Sequence, residues 1–324
     1  MDRRHFSLSM AALTALPMMA RANTTYPTRP VKVISPYAAG GGPDVQLRQF
    51  GPAWGEALKQ SLVIENKVGA GGVLAAQFVA GAAADGYTLL MGSNTHLIQK
   101  SMQPSLKFDP LNDFVGVTNM ASSPTVLVVS ADSPYRSLED LVAALRKSAG
   151  GMNYGSGGIG TSAHLAGATL LKLNNFTATH VPLKGSVEIT ASLLRGDTQF
   201  AFPVAGTAVP QVKGGKLRAL AVTSRNRLSL LADVPTLNEL MNNDLAIQES
   251  WFGVWAPAKT PDDIIKTLHS AATSALKQPA IRSAFENSGN VAVPSDSPQA
   301  FSAFIQSEQK KWAEIVRLTG ATAS

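Results

Sequence analysis

The chain has 324 residues, of which 45% are apolar and 15% are charged, and it contains no cysteine. This length predicts about two domains, each large enough to bury a core. The lack of cysteine excludes disulfides, thiolate nucleophiles and metal sites held by cysteine. The net charge is +6, and the basic residues are scattered along the chain, which argues against a nucleic-acid-binding protein.

Residues 1–22 predict a secretory signal peptide. A basic start with Arg3 and Arg4 precedes the mostly apolar run 6–19, and an Ala-Arg-Ala tripeptide places the cleavage site after Ala22. The apolar run is too short to span a membrane. Its arginine pair fits a twin-arginine signal as well as a Sec signal. The sequence therefore predicts a periplasmic protein, and cleavage lowers the net charge from +6 to +4 by removing three arginines and one aspartate.

Strand patterns alternate with helix patterns along the mature chain, which predicts an α/β fold with largely parallel sheets. The predicted strands are Val31–Ser35, Leu62–Glu65, Tyr87–Met91, Thr125–Ser130, His180–Leu183, Gln199–Val204, Leu217–Thr223 and Phe252–Ala256. The predicted helices are Val45–Leu58, Leu138–Lys147, Thr161–Leu173, Asp262–Leu276 and Pro298–Leu318.

No repeat or low-complexity linker divides the chain, which favours two lobes joined by more than one crossover. We place the crossovers near Ala121–Pro124 and Asn243–Glu249. Residues 23–122 and 247–324 then form one lobe, and residues 123–246 form the other. This division predicts that the C-terminal helices return to the first lobe.

Four turns that follow predicted strands carry candidate ligand-binding residues. The first turn is rich in glycine, which lets a ligand approach the backbone, and it leads into a helix N-terminus, which attracts anions. Its candidates are Tyr37, Ala39, Gly40, Gly41, Gly42 and Asp44. A tight turn capped by Asp44 is the alternative. Arg48 follows Asp44 by four residues, so an ion pair within the helix explains it.

The other turns add short polar side chains and backbone amides at helix starts. Their candidates are Ser93 and Asn94, then Ser156, Gly160, Thr161 and Ser162, then Lys184 and Gly185, with Pro203 in the strand that follows. Helix capping alone would explain Ser93 and Asn94, and Ser186 is the expected cap of the fourth turn. Lys184 could neutralise an anion or simply be solvated.

The third turn also matches the glycine pattern of dinucleotide-binding proteins, but its context does not fit. The acidic residue that binds the ribose should follow about 20 positions later, and the first acid after Gly160 is Glu188. We therefore expect no dinucleotide and no other cofactor. His164 is expected to form a hydrogen bond under this turn.

The sequence contains no recognisable metal site or catalytic motif. The mature histidines, which are His96, His164, His180 and His269, lack metal-ligand spacing. The nearest match to a nucleophile elbow is 160–164, where histidine replaces the second glycine. A serine hydrolase built from Ser162, His180 and Asp197 remains as an alternative to a binding protein without catalytic residues.

Motifs along nearly the whole mature chain resemble the Bug family of solute receptors, which are associated with tripartite tricarboxylate transporters. The motifs are Tyr26-Pro27-x-Arg29-Pro30-Val31-Lys32, Gly41-Gly42-x-Asp44 with Arg48, ENKVGAGG at 65–72, DGYTLL at 85–90, GTSAHLAG at 160–167, VPLKG at 181–185, GKLRALAV at 215–222, Val234-Pro235-Thr236-Leu237-x-Glu239, Trp251-Phe252-Gly253 and Ala256-Pro257. Each motif is weak alone, whereas their joint order and spacing are specific.

The resemblance implies a two-lobed, type II-like Venus flytrap fold that closes on a ligand in a mostly uncharged cleft. Amides, hydroxyls and ordered waters would hold a carboxylate there: a di- or tricarboxylate, an acidic amino acid or an aromatic acid. It also implies a membrane permease of the tripartite tricarboxylate type, or a sensor protein, as the partner. We expect a monomer.

Three positions depart from the pattern of the family. Ala168 stands where glutamate is usual, Leu183 stands where tyrosine is common, and Ala38 with Ala39 replaces a proline-containing approach to the glycines. Because Leu183 offers no hydroxyl, a contact found in relatives is expected to be missing. The ligand of a relative therefore does not transfer directly to this chain.

Overall fold

The computed structural model describes residues 26–322, so the predicted signal peptide lies outside the described residues. The strands are β1 (Val31–Ser35), β2 (Leu62–Asn66), β3 (Thr88–Ser93), β4 (Phe114–Pro124), β5 (Val126–Ser130), β6 (Asn153–Ser156), β7 (Thr179–Pro182), β8 (Phe200–Ala201), β9 (Leu217–Val222), β10 (Glu249–Pro257) and β11 (Val291–Ala292). The helices are α1 (Gly42–Leu58), α2 (Val73–Ala80), α3 (Asn94–Met102), α4 (Leu138–Ser148), α5 (Ser162–Leu173), α6 (Ser186–Arg195), α7 (Ala205–Lys213), α8 (Leu237–Met241), α9 (Asp262–Leu276), α10 (Pro279–Asn287) and α11 (Pro298–Thr319).

The strands form two sheets, and each sheet is the centre of one lobe. Lobe 1 contains a six-stranded sheet in the order β11-β4-β10-β3-β1-β2, and lobe 2 contains a five-stranded sheet in the order β7-β6-β8-β5-β9. Helices cover the sheets, as an α/β fold requires. The two-lobed α/β architecture predicted from the sequence is therefore confirmed.

The prediction of largely parallel sheets is wrong, because both sheets are mixed. In lobe 1, β1 pairs in parallel with β2 and β3, but β10 runs antiparallel to both β3 and β4. In lobe 2, β6 is parallel to β7 and β8, whereas β5 is antiparallel to β8 and β9. The antiparallel strands include β4, β5 and β10, which adjoin the passages of the chain between the lobes.

Those passages lie side by side at Thr125 and Gln248, where a threonine of lobe 2 joins them. The Thr223 hydroxyl donates to the Gln248 carbonyl oxygen at 2.6 Å and accepts from the backbone amide of Thr125 at 2.9 Å. The backbone amide of Gln248 donates in turn to the Thr223 carbonyl oxygen at 2.9 Å. These hydrogen bonds connect the two lobes. The predicted lobe boundaries, at 122/123 and 246/247, are close to them in the chain and stay a prediction.

Local sequence explains where the helices around the cleft begin and end. The Thr161 hydroxyl caps α5 by accepting from the backbone amide of His164 at 3.3 Å, as short hydroxyl side chains do at N-caps. The helix α11 begins with a Ser297 cap followed by proline, and it ends at Gly320 in the left-handed conformation. Such capping fixes the helix N-termini relative to the sheets.

Two differences from the predicted elements affect the site. The whole of β4, which lies next to the long strand β10, has no counterpart among the predicted strands. The cap of α6 is Gly185, with a backbone φ of 136°, and Ser186 is already the first residue of the helix. The expected Ser186 cap is therefore wrong, because a glycine conformation makes the turn one residue earlier.

Candidate functional site

A cleft lies between the lobes, where loops at the carboxyl ends of parallel strands lead into helix N-termini. Open α/β sheets present ligand sites at such ends. The main chamber of this cleft has a volume of about 390 Å³. Its lining comes from lobe 1 at Tyr37, Ala38, Ala39, Gly41, Pro43, Thr95, Ser250 and Phe252, and from lobe 2 at Gly157, Thr161, Ser162, Ala163, Lys184, Gly185, Val187, Glu188 and Val204.

A side chamber of about 410 Å³ adjoins the main chamber. Both chambers share Tyr37, Thr95, Thr161 and Lys184 among their lining residues. The side chamber is lined in addition by Pro36, Val68, Gly69, Ala70, Gly71, Gly72, His96, Gly158 and Leu183. The two chambers together are large enough for a small organic acid.

Ser162 lies in the lining of the main chamber and joins both lobes through its hydroxyl. Its Oγ accepts hydrogen bonds from Asn94 Nδ2 at 3.0 Å and from the Ser250 hydroxyl at 2.7 Å. Both partners belong to lobe 1, whereas Ser162 begins α5 of lobe 2. Because Oγ is the acceptor in both bonds, the Ser162 proton remains available to a ligand oxygen.

Tyr37 connects the first glycine turn with the start of α3. Its hydroxyl donates to Ser93 Oγ at 2.8 Å, and its ring packs edge-on against Phe252 with a centroid distance of 5.5 Å. Ser93 in turn caps α3 by accepting from the backbone amide of Thr95 at 3.3 Å. Burial raises the pKa of Tyr37 to about 12, so the hydroxyl stays protonated and keeps its role as donor.

Asp44 organises the first turn from beneath rather than lining a chamber. Its carboxylate is fully buried and accepts from the Gly40 amide at 2.9 Å, Arg48 Nε at 2.8 Å and Asn66 Nδ2 at 2.6 Å. Burial alone would raise the pKa of Asp44, but the hydrogen bonds from Arg48, Asn66 and Gly40 outweigh it and lower the pKa. The ion pair predicted between Asp44 and Arg48 is confirmed.

The glycine loop before α5 rests on two stacked histidines. The rings of His164 and His180 have centroids 4.0 Å apart, and His164 Nδ1 accepts from the Gly160 amide at 3.2 Å. His180 Nε2 lies 2.7 Å from Ser156 Oγ. Burial lowers the pKa of His164 to about 3 and that of His180 to about 4, so both rings are neutral at neutral pH. The predicted hydrogen bond of His164 under the loop is confirmed.

The fourth turn brings one cation and one carboxylate to the main chamber. The backbone amide of Lys184 donates to Glu188 Oε2 at 3.0 Å. Within residues 26–322 no ion pair engages the Lys184 ammonium. Lys184 is therefore the one lysine among the lining residues that could neutralise an anion there.

The predicted site residues divide into lining and supporting positions. Those that line the main chamber are Tyr37, Ala39, Gly41, Thr161, Ser162, Lys184 and Gly185. Those outside the lining of both chambers are Gly40, Gly42, Asp44, Ser93, Asn94, Ser156, Gly160 and Pro203. Several of the latter support the loops, and the Pro203 carbonyl accepts from the Val126 amide at 2.9 Å. A direct ligand contact at any of these positions stays a prediction.

Sequence reasoning missed part of the lining. The lining residues that were not predicted are Ala38, Pro43, Thr95, Gly157, Ala163, Val187, Glu188, Val204, Ser250 and Phe252. Thr95 and Glu188 belong to the first turns of helices whose preceding loops had been singled out. Ser250 and Phe252 lie on β10, which crosses back to lobe 1 and reaches the cleft from its interior. The spacing of residues along the chain does not reveal that this strand reaches the cleft.

The arrangement gives no support to the serine hydrolase alternative. His180 Nε2 is engaged by Ser156 rather than Ser162. Asp197 forms an ion pair with Arg195 at 2.7 Å. A nucleophilic serine needs a base within hydrogen-bond reach that a third group orients, and the Ser162 hydroxyl instead contacts an amide and a second hydroxyl.

Between residues 26 and 322, no group of three histidine, aspartate or glutamate side chains is placed to hold a metal ion. In the same range, no helix is long and apolar enough to cross a membrane.

Two α/β lobes that enclose a ligand-sized cleft define the class of periplasmic binding proteins. Within that class, the chain belongs to the Bug family of tripartite tricarboxylate transporter receptors. Residues 47–321 match the sequence model of the TctC family, which is described as the tripartite tricarboxylate transporter family receptor.

Relatives of known sequence and structure agree with this assignment. Protein BugT of Bordetella pertussis is 34% identical over 300 residues, which cover 92% of this chain and 91% of BugT. An R. palustris protein solved with adipate has a TM-score of 0.86 and 28% identity, over 92% of this chain and 99% of that chain. MatC from Rhodopseudomonas palustris, solved with bound malate, has a TM-score of 0.83 and 29% identity, over 90% and 100%.

Proposed function

We propose that this chain is a periplasmic receptor that binds a small carboxylate between its lobes and presents it to a tripartite tricarboxylate-type membrane permease. The observation that carries the proposal is the Ser162 hydroxyl in the lining of the main chamber. It receives hydrogen bonds from Asn94 and Ser250 of the opposite lobe and retains its own proton. One ligand oxygen bound at Ser162 would thus interact with a network that spans both lobes.

Neutral donors and one cation support a carboxylate as the group that Ser162 binds. The N-terminus of α5 adds the positive end of a helix dipole, which stabilises an anion by about 0.3–1 kcal/mol at an exposed site. Lys184, on a second loop of lobe 2, adds a positive charge to the same lining, and the carboxylate of Glu188, which also lines the chamber, accepts a hydrogen bond from the Lys184 backbone amide. Two structural relatives were solved with carboxylates, adipate and malate. Their ligands support the class of ligand and leave its identity to experiment.

The remaining lining favours binding over catalysis. Tyr37 and Phe252 form an apolar wall of the main chamber, and Thr95 and Ser250 provide hydroxyls beside it. The predicted signal peptide and the membership in a family of periplasmic receptors support export to the periplasm. Release of the ligand to the permease would require the lobes to separate, a motion common to this class of protein.

Isothermal titration calorimetry of the mature chain against dicarboxylates, tricarboxylates, acidic amino acids and aromatic acids tests the proposal. The protein should first be unfolded and refolded to remove any retained ligand. A ligand that binds should also stabilise the fold. At a ligand concentration 100 times Kd, the free energy of unfolding, measured by denaturant titration, should rise by about 2.7 kcal/mol. The same carbon skeletons as primary amides serve as matched controls. Equal binding of acids and amides, or no binding of any acid, would contradict a carboxylate receptor.

A further inference from the structure

The main chamber has one positive and one negative side chain, and both come from the fourth turn. Of the described residues that line this chamber, only Lys184 and Glu188 are charged. The side chamber adds no further charged residue, and no arginine is found in the described lining of either chamber. Because the two charges cancel, the side chains of the cleft provide no excess positive charge for a ligand with several carboxylates.

Glu188 is placed to contact a ligand in this chamber. It lies in the first turn of α6 and is exposed. Its Oε2 accepts a hydrogen bond from the backbone amide of Lys184 at 3.0 Å, which holds the carboxylate at the turn. Within residues 26–322, Oε1 has no hydrogen-bond partner, and no cation forms an ion pair with Glu188. One carboxylate oxygen therefore remains free to accept from a donor on the ligand.

Two of the helices that begin at the chamber in lobe 2 differ in the charge of their first turns. Helix α5 begins at Ser162 and has no acidic residue in its first turn, so the positive end of its dipole is available to a carboxylate. Helix α6 begins at Ser186, and Glu188 already compensates the positive end of its dipole. The chamber therefore favours an anionic group at Ser162 and a cationic group at Glu188.

The ammonium group of Lys184 does not cancel this difference. Lys184 lines both chambers, whereas Glu188 lines the main chamber only. The two side chains are not paired with each other, although they belong to the same turn. Because the lysine side chain is long and flexible, its charge can be directed towards the side chamber while the Glu188 carboxylate stays in the main one.

We propose that Glu188 is a specificity-determining residue that selects a net-neutral amino acid, with the carboxylate of the ligand bound near Ser162 and its ammonium group bound to Glu188. This inference rests on the proposed function, in which a carboxylate binds at Ser162. An ammonium group offers three donors, of which the free Glu188 oxygen can accept one, and it leaves the chamber electrically neutral. A second carboxylate would instead lie near Glu188 without a cation of its own, which is costly in an enclosed site.

The test compares ligands of equal length that differ in the group they carry besides the first carboxylate. Calorimetry on the refolded wild-type chain uses α-amino acids, ω-amino acids, diacids and unsubstituted monoacids of four, five and six carbons. The best amino acid should bind about 3- to 30-fold more tightly than the diacid of its length, because attraction to Glu188 is replaced by repulsion. Diacids that bind as tightly as the amino acids at every length would overturn the inference.

Salt provides a check that needs no variant. Since ions screen charges that are partly exposed, the ratio of amino-acid affinity to diacid affinity should fall when the salt concentration is raised from about 20 mM to about 500 mM. A ratio that does not depend on salt would mean that shape rather than the charge of Glu188 separates the ligands, and it would contradict the inference.

The substitution Glu188→Gln removes the charge and keeps the size of the side chain. Its amide oxygen can still accept from the backbone amide of Lys184, so the turn should be retained. The ratio of amino-acid affinity to diacid affinity should fall by about 3- to 30-fold, while the affinity for the monoacid should change by less than about threefold. An unchanged ratio in this variant would refute the role of Glu188.

The matched control is Glu139→Gln. Glu139 lies in the first turn of α4, also in lobe 2, where it is exposed and lines neither chamber. The control changes the net charge of the protein by the same amount and should leave the affinity ratio at its wild-type value. Equal effects of the two variants would count against a local role of Glu188. Failure of every acid and amino acid to bind the wild type would refute the carboxylate receptor itself.

Discussion

Gln99 Nε2 donates a hydrogen bond to the carbonyl oxygen of Ile159 at 2.6 Å, and the two residues belong to different lobes. Gln99 lies on α3 of lobe 1, and Ile159 belongs to the glycine loop of lobe 2. Gly71 and Gly160 pack against the same side-chain amide so closely that a Cβ at either position would lie within 2.5 Å of its nitrogen. This contact joins the glycine turns of the two lobes beside the side chamber.

Replacement of Gln99 should weaken ligand binding more than it weakens the fold. Because the Gln99 bond exists only while the lobes are together, Gln99→Leu should raise the Kd of the ligand by about three- to tenfold, the equivalent of one hydrogen bond. Calorimetry measures the effect. The matched control is Gln309→Leu, since Gln309 Nε2 donates to Ser101 Oγ at 2.8 Å within lobe 1. If both variants change the Kd equally, the Gln99 contact has no part in lobe closure.

Removal of the Ser162 hydroxyl should reduce affinity strongly. Ser162→Ala removes a donor to the ligand and leaves Asn94 Nδ2 and the Ser250 hydroxyl without their acceptor. We expect Kd to rise by about 10- to 150-fold, which corresponds to roughly 1.5–3 kcal/mol. Ser192→Ala is the control, because Ser192 is equally buried in lobe 2 but bonds to Thr198 away from the cleft. A Kd within twofold of the wild-type value in Ser162→Ala would remove Ser162 from the site.

The Asp44 carboxylate should stabilise the fold in a pH-dependent way. Its folded-state pKa lies below the ordinary value of 3.8, so its contribution is complete above that value and is lost as pH falls through the folded pKa. Asp44→Asn should lower the free energy of unfolding at pH 7 by about 1–3 kcal/mol, because three donors lose a charged acceptor. Urea unfolding of both proteins at pH 7 and pH 3 should give a smaller difference at pH 3. A constant difference would contradict the lowered pKa.

The stacked histidines should make lobe 2 sensitive to acid. The pKa values of His164 and His180 are lowered from 6.5 to about 3 and about 4 in the folded chain. Below pH 6.5 the unfolded chain therefore binds more protons than the folded one, so stability falls as pH drops from 6.5 towards 4. Replacing the titrating ring in His180→Gln should make this fall shallower, as thermal unfolding at pH 7, 6, 5 and 4.5 would show. An equally steep fall would assign the acid sensitivity to other groups.

The sequence predicts those elements best whose patterns are local. The strand β1 and the helix α9 match the predicted Val31–Ser35 and Asp262–Leu276 at both ends, because each has a clear apolar period and clear boundaries. The strand β4 was missed, because Thr118, Asn119 and Ser123 interrupt its apolar run. They are buried all the same, and Ser295, which is distant in sequence, bonds to the first two: its backbone amide donates to the Thr118 hydroxyl, and its hydroxyl accepts from the backbone amide of Asn119. Such partners have no sequence signature nearby.

In the candidate site, too, local sequence patterns were predicted and contacts between distant parts of the chain were missed. The turns around Gly41, Ser162 and Lys184 were found because a strand followed by glycine and a helix start is a local pattern. Ser250 was missed, because its position in the lining depends on β10 passing between β3 and β4, which only the topology shows. His96 was noted only for its lack of metal spacing. It lies in the lining of the side chamber together with the turn at 69–72, which is more than 20 residues away in the chain.

The position of β10 has a consequence for the order in which the chain can fold. Strand β4 has β10 and β11 as its neighbours, and β10 is the strand that joins β4 to the β3-β1-β2 half-sheet. When the polypeptide emerges N-terminus first, residues 114–124 therefore lack sheet partners until residues 249–257 arrive. Every strand of lobe 2 lies between those two segments. The second lobe can thus complete its sheet while the first is still half assembled, so the N-terminal lobe is the last to reach its native contacts.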